Sequence, residues 1–362
     1  MSLNTLSSPK WIVFQLVEKC NLRCKMCYQW GDTGSYLDFE KENLKILSYD
    51  VIKDIVESCE PVKPYIGLYG GEPFMHPAIF DIIRLLKEKG IKMYVDTNGT
   101  LNEKYAEQII DAGVDLLWVS LDGPPEINDR QRGNGVYKRV IRGIDKLHEM
   151  KVAKGRENPR LGISLTVTPI NYRNINQLFF DNIDLSKIGN ISIELQNFST
   201  AQEHQEYAAI LNEEFHLNTT APIAKGLVQD PLIFSDMDTA FLTAQLAELK
   251  AECQRRSINF NSSLKTLEPS NFKSYFEGNW NEMDDKKHHC SFPLTYAEIT
   301  AKGDVVVCHT FYDHILGNVY NTSFMDIWHG EKLRELRKYL RKQLLPICTA
   351  CCRYYYNPNS SN

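Results

Sequence analysis

The run Cys20-Asn21-Leu22-Arg23-Cys24-Lys25-Met26-Cys27-Tyr28 carries three thiols in a C-x3-C-x2-C spacing. Thiolates are the natural ligands of iron–sulfur clusters, and a cubane has four irons. Three closely spaced Cys leave one iron without a protein ligand. An open metal position is where a small molecule can bind and react. Zinc and unpaired core thiols are the alternatives. The motif lies in a polar loop bearing Lys19, Arg23 and Lys25, which argues against core thiols.

Outward from this loop the chain alternates between two periodicities. Trp11–Val17, just before it, is a short apolar run that reads as a buried strand. Tyr65–Tyr69, Ile91–Thr97, Leu116–Leu121, Leu161–Val167 and Ile191–Leu195 read as five further strands. Ala78–Lys89, Glu103–Ala112 and Tyr137–Lys151 have helical spacing, the first two closed by Gly90 and Gly113. Repeated strand–helix units predict a parallel sheet with right-handed crossovers. Such a sheet binds ligands beyond the C-terminal ends of its strands, and the polar motifs fall there. Gly70-Gly71-Glu72-Pro73 follows the second strand, Thr97-Asn98-Gly99-Thr100 ends the third, and Ser120-Leu121-Asp122 ends the fourth. Each also reads as a turn or cap on its own.

These segments together resemble the radical S-adenosylmethionine (SAM) enzyme superfamily. The resemblance implies an α/β fold, a partial (β/α)6 TIM-like barrel. It implies a [4Fe–4S] cluster held by Cys20, Cys24 and Cys27, with SAM at the open iron. One electron would cleave SAM to methionine and a 5′-deoxyadenosyl radical, which abstracts a hydrogen from substrate. By the same resemblance Glu72 would receive the SAM ammonium group, with Gly70 and Gly71 supplying backbone. Asn98 would border the pocket and Ser120 would touch SAM. Asp122 would lie near the substrate or only fix the turn, and Arg132 would brace the site. Ser164 and Thr166 would be polar SAM contacts, Leu195 an apolar wall for adenine, and Tyr28 a backbone contact to adenine.

A second thiol set lies near the C-terminus. Cys290 is followed by twelve residues, Gly303, four residues and Cys308; Cys348-x2-Cys351 comes later, with Cys352 adjacent. Val305–Val307 reads as a hairpin strand and Glu331–Arg341 as a basic helix. A hairpin flanked by Cys brings two thiols together, and a later C-x2-C can complete four ligands. The arrangement resembles the auxiliary-cluster domains called SPASM and twitch. A full SPASM domain has seven Cys; only five stand here from Cys290 onward. The reading is therefore one auxiliary [4Fe–4S] cluster on Cys290, Cys308, Cys348 and Cys351, with Cys352 able to replace Cys351. Four Cys also suit tetrahedral zinc. His288, His289 and His309 read as supporting or solvent-facing side chains, and Cys59 and Cys253 as ordinary half-buried thiols.

The expected organisation is a barrel over residues 1–200, a connector over 201–287 that helps line the substrate cavity, and a small C-terminal cluster domain (β-hairpin plus helix) over 288–362. The chain has 362 residues, 43% hydrophobic and 24% charged, as in ordinary globular proteins. A net charge of −5 argues against nucleic acid as partner. The Lys138, Arg139, Arg142, Lys146 and Lys151 stripe reads as a solvated helix face. With no signal-peptide pattern and no long apolar run, the expectation is a cytoplasmic protein without a membrane partner. Ten Cys in a reducing compartment read as metal ligands rather than disulfides.

The function expected is a radical SAM oxidoreductase that abstracts hydrogen from an unactivated C–H bond of a small polar metabolite or a peptide. The auxiliary cluster would accept the electron or hold the fold. A flavodoxin- or ferredoxin-type protein would be the reductant. The first strand begins by Trp11, so a fused leader-binding domain is not expected. The alternatives are a maturase of a ribosomally made peptide or protein side chain, and a zinc or iron–sulfur binding protein without radical chemistry.

Overall fold

The structure, a computed structural model, describes residues 8–37, 43–283, 290–308 and 310–351. The expectations placed on His288, His289, His309, Cys352 and the polar tail Asn357–Asn362 lie outside the described residues.

Six strands carry the barrel: β1 (Trp11–Gln15), β2 (Tyr65–Tyr69), β3 (Met93–Thr97), β4 (Leu116–Ser120), β5 (Arg160–Val167) and β6 (Asn190–Leu195). All are parallel to their neighbours. Two more parallel strands flank them: β7 (Asn259–Ser262) beside β6, and β8 (Tyr296–Ile299) beside β1. Two short antiparallel strands, β9 (Asp304–Val306) and β10 (Gly317–Asn318), extend the β8 edge. The order is β10-β9-β8-β1-β2-β3-β4-β5-β6-β7, an open sheet among the described residues.

Helices α1 (Tyr49–Ser58), α2 (Ile79–Glu88), α3 (Asn102–Ala112), α4 (Pro125–Arg132) and α5 (Val136–Lys154) connect the first five strands. Each of α2, α3 and α5 turns an apolar stripe to the sheet: Ile79, Ile82, Ile83 and Leu86 on α2, Ala106, Ile109 and Ile110 on α3, and Val140, Ile144 and Leu147 on α5. Burying each large aliphatic side chain contributes roughly 1.5–3 kcal/mol. Gly113, at φ 80°, closes α3 in the left-handed conformation that glycine adopts without a steric penalty.

The connector holds α6 (Ala201–Glu213), α7 (Pro222–Lys225), α8 (Thr239–Arg255) and α9 (Pro269–Phe276). Thr200 and Glu203 cap α6 reciprocally, and Asp238 caps α8. The C-terminal part holds α10 (Phe292–Thr295), α11 (Phe324–Trp328) and α12 (Glu331–Leu340). Connector and C-terminal part are stitched together. Asp313 accepts from Ile223 N at 2.8 Å and Ala224 N at 3.0 Å, and Thr349 donates to Glu203 at 2.9 Å.

Strand register separates the two faces of the sheet. Partners in a parallel ladder project to the same side. Val13 pairs Gly67 and Glu298, Gly67 pairs Tyr94, and Asp96 pairs Trp118. Ser120 pairs Ser164, which pairs Ser192; Thr166 pairs Glu194. These residues line the barrel interior. Trp11, Val13, Tyr94, Phe292 and Tyr296 pack as a plug separate from the main core. Ile12, Phe14, Leu68, Val95, Val119 and Ile193 belong to the main core, on the helix side.

Candidate active site

β1 ends one residue before Leu16, and the Cys loop begins at Cys20, at the C-terminal rim of the sheet. Cys20, Cys24 and Cys27 are each partly buried and lie close enough to act on one another electrostatically. Their sulfurs attract hydrogen-bond donors. Leu22 N approaches Cys20 Sγ at 3.4 Å and Trp30 N approaches Cys27 Sγ at 3.4 Å. Asn98 Nδ2 stands 3.8 Å from Cys20 Sγ, and an Arg132 guanidinium nitrogen 3.9 Å from Cys24 Sγ. Burial pushes the Cys20 thiol up to about 12 and raises Cys24. Thiolates in such a place need a cation, and a coordinating metal deprotonates a thiol outright. The donor set therefore fits the iron–sulfur group expected from the spacing. N–H groups aimed at the sulfurs are the supporting interactions that tune such a cluster.

The Gly70-Gly71-Glu72 segment is pinned to the same loop. Gly71 N donates to Val17 O at 2.7 Å and Glu72 N to Lys19 O at 3.0 Å. Gly70 sits at φ 129°, and a Cβ there would come within 2.7 Å of Val17 O. A Cβ on Gly71 would run into the Lys19 carbonyl. Both glycines are thus required by close backbone approach. Glu72 is fully buried and its carboxylate accepts from Thr97 Oγ1 at 2.8 Å, Asn98 N at 2.9 Å and Phe74 N at 3.2 Å. Burial pushes its pKa up to about 7, against those three donors. Asn98 joins the segments: its amide donates to Asn21 Oδ1 at 2.8 Å and accepts from Thr100 N at 3.0 Å.

Asp122 is also fully buried, and both its oxygens are engaged. Arg132 Nε donates to Oδ2 at 2.5 Å, Gln131 Nε2 to Oδ2 at 2.8 Å, and Thr166 N to Oδ1 at 2.8 Å. Burial opposes the Arg132 charge, yet Asp122 and Cys24 outweigh it and hold the guanidinium protonated. This pair fixes the turn after β4 and aims Arg132 at Cys24.

Ser120, Ser164 and Thr166 project into the barrel interior, half-buried. Leu195 does not. It packs in the main core on the helix side, and the inward positions of β6 are Asn190, Ser192 and Glu194. The period-2 alternation of Ser192 and Glu194 is the sequence signal for this. Glu194 is held by Ser192 Oγ and Ser263 Oγ, each at 2.7 Å.

Three thiols of the second set come together as well. Cys290, Cys308 and Cys348 act on one another electrostatically, and Thr310 Oγ1 lies 3.7 Å from Cys351 Sγ. Phe311 N approaches Cys308 Sγ at 3.4 Å. Burial pushes Cys308 up to about 12 and Cys348 well above the ordinary thiol range. Cys59 and Cys253 are fully buried in the main core, deeper than the half-buried thiols expected from the sequence.

A hydroxyl chain between the two loops has no counterpart in the linear motifs. The Tyr28 hydroxyl bonds those of Tyr69 and Tyr312. Beside it, the fully buried Glu298 accepts from Gln15 Nε2 at 2.6 Å and from the Tyr296 hydroxyl. Burial first, and Glu298 in addition, keep Tyr28 and Tyr312 neutral phenols. Tyr28 follows Cys27 and Tyr312 lies four residues past Cys308, so the chain ties one Cys loop to the other. The signal was available only as a tyrosine after a Cys, which by itself specifies no partner.

The sequence matches the radical SAM superfamily over residues 14–175 and the SPASM iron-sulfur cluster-binding domain over residues 290–352. A tungsten-containing aldehyde ferredoxin oxidoreductase cofactor-modifying protein of Pyrococcus furiosus is 24% identical, covering 94% of this chain and 87% of that protein. An Fe-coproporphyrin III synthase of Methanosarcina barkeri is 30% identical, over 50% of this chain and only 42% of that protein. Among solved structures, Streptococcus suis SuiB bound to S-adenosylmethionine superimposes with a TM-score of 0.64 at 17% identity, covering 92% of this chain and 68% of that one. The protein anSMEcpe with bound AdoMet gives 0.59 at 17% identity, covering 95% and 89%. The chain carries a radical SAM domain over residues 14–175 and a C-terminal SPASM domain over residues 290–352. Those two domains imply a [4Fe–4S] cluster, SAM and auxiliary iron–sulfur chemistry. The zinc alternative for the C-terminal thiols gives way to it. No helix among the described residues is long and apolar enough to cross a membrane.

Proposed function

We propose that this protein is a radical SAM oxidoreductase acting on an unactivated C–H bond of a peptide or a small polar metabolite. The observation that carries the reading is the convergence of three thiols and the Gly70-Gly71-Glu72 segment on one strand-end loop, with a second thiol set tied to it through Tyr28 and Tyr312. When bound, the cluster supplies the electron that cleaves SAM. The chain's own residues do the rest. Cys20, Cys24 and Cys27 would hold the first cluster, and Cys290, Cys308, Cys348 and Cys351 one auxiliary cluster. Backbone groups of Gly70 and Gly71, with the Glu72 carboxylate, would receive the SAM amino group. Ser120, Ser164 and Thr166 offer hydroxyls inside the barrel, and Asn98 and Arg132 orient Cys20 and Cys24. Asp122 acts through Arg132.

The maturase alternative has two supports. SuiB has been seen bound to its precursor peptide SuiA, and anSMEcpe with AdoMet and a Cp18Cys peptide. A relative aligned over 94% of this chain is, by contrast, a cofactor-modifying protein. A small polar substrate is supported by the interior hydroxyls and carboxylates, Ser120, Ser164, Ser192, Asp96 and Glu194. The test is deuterium transfer. Candidate substrates deuterated at the reacting carbon are incubated with SAM and reductant, and 5′-deoxyadenosine is analysed by mass spectrometry. Enrichment from one substrate class supports hydrogen abstraction from it. Deoxyadenosine that gains no deuterium from any bound substrate would oppose the reading.

A further inference from the structure

Cleavage of SAM consumes one electron per event, and the chain must take that electron from outside. The Cys loop is where it would enter, and its outer face is cationic. Lys19, Arg23 and Lys25 are all exposed, interleaved with the partly buried Cys20, Cys24 and Cys27. Arg130, exposed in the last turn of α4, joins them: Lys25 N donates to the carbonyl of Gln131, the next residue, at 3.0 Å.

None of these four cations forms an ion pair among the described residues, whereas Lys87, Lys89, Arg142, Lys154 and Lys187 on the outer helices all do. Arg23 is also held in place. Its guanidinium donates to Cys20 O at 3.0 Å and Leu22 O at 2.7 Å and stacks over Trp30 at 4.2 Å. A guanidinium fixed over an aromatic face while still exposed is pre-organised for a partner.

The acidic groups nearby leave the rim positive. Glu18 is buried and accepts from Lys45 N at 2.8 Å. Asp129 accepts from Gly135 N at 2.6 Å and Tyr137 N at 2.8 Å. Asp32 on the loop and Glu126 in the opposite turn of α4 are exposed. The whole chain is nonetheless net −5. A local positive rim on a negative protein orients an incoming acidic partner and repels it elsewhere.

We infer that Lys19, Arg23, Lys25 and Arg130 form the docking surface for an acidic one-electron carrier protein of flavodoxin or ferredoxin type. The inference rests on the function proposed above, and the experiment separates the two. Formation of 5′-deoxyadenosine from SAM is measured with dithionite and, separately, with subsaturating reduced flavodoxin or ferredoxin, across a salt series. The proteins compared are wild type, Arg130→Glu, Lys25→Glu/Arg130→Glu, and Lys138→Glu. Lys138 is exposed on α5, an element that supplies none of the four rim cations, and gives the same charge change there.

The expected result is that carrier-driven rates of the rim variants fall about tenfold or more at low salt, with the gap closing as salt rises. Dithionite-driven rates should match wild type, and Lys138→Glu should behave as wild type with both reductants. Equal carrier-driven rates and equal salt slopes in the rim variants would overturn the inference, as would an equal loss in Lys138→Glu. If Lys25→Glu impairs iron loading, Arg130→Glu, outside the Cys loop, decides alone. Failure of the wild type with dithionite would instead remove the proposed function.

Discussion

Asp122 and Arg132 show how much a single residue carries here. The aspartate is fully buried and the guanidinium nearly so, and they are joined at 2.5 Å. Removing one member of a buried pair leaves the other charge uncompensated, at about 3–5 kcal/mol. Asp122→Ala should therefore destabilise the protein by that order and disturb Cys24 through Arg132. Chemical denaturation together with iron content checks both; a loss under about 1 kcal/mol would show that the pair is solvated. Glu72 makes a pH prediction. Its folded pKa, about 7, lies above its ordinary value of 4.5. The protonated form is thus favoured by folding, so its contribution is full below about pH 4.5 and is lost as pH rises through 7. In protein free of SAM, Glu72→Gln should flatten that loss, read from denaturation midpoints of both proteins at pH 5 and pH 7.5. Tyr312→Phe keeps the ring and breaks the bond to Tyr28. It should leave iron content intact and lower the fraction of deoxyadenosine events that end in product. Unchanged coupling would confine the hydroxyl to packing.

At the scale of the element, the turn after β2 is the tightest joint. Gly71→Ala would drive a Cβ into the Lys19 carbonyl, one residue from Cys20. Overpacking of this kind costs roughly 1–3 kcal/mol, and here the strain lands on the Cys loop. The variant should lose about four irons per chain while far-UV circular dichroism stays unchanged. Full iron loading would mean that the loop yields freely. Elements of this kind were legible in the sequence because their signals are local. The β1–β6 alternation, the stripes of α2, α3 and α5, and the C-x3-C-x2-C spacing each follow from a pattern within about twenty residues. Facing was less legible. Leu195 and Glu194 are adjacent; the Ser192–Glu194 alternation is a two-residue signal, and register with Val167 and Thr166 settles that Glu194 is the one inside. The Tyr28–Tyr312 contact spans 284 positions, and no local pattern encodes such a distance.

For the whole molecule, the sequence suggested a barrel followed by an appendage. The structure adds how they join: β8 lies in the main sheet beside β1, with Val13 opposite Glu298. A four-residue strand inside a Cys-rich region gives little periodic signal, so its place in the sheet could not be read in advance. The consequence is testable. A chain ending at residue 287 would expose the β1 edge and uncover Trp11 and Val13, which β8 and Phe292 bury. Unpaired apolar edges associate. That truncation should aggregate or become protease-labile; a monomeric, cooperatively folding product would show that the two parts are separable. Both thiol sets, the hydroxyl chain and the connector helices thus belong to one packed unit. The central claim is that this unit holds two clusters and cleaves SAM. Anaerobic purification, iron and sulfide quantification and a dithionite assay for 5′-deoxyadenosine test it most directly. The account predicts about eight irons and eight sulfides per chain, with deoxyadenosine formed from SAM. Colourless, zinc-loaded protein that cleaves no SAM even after anaerobic cluster reconstitution would contradict it.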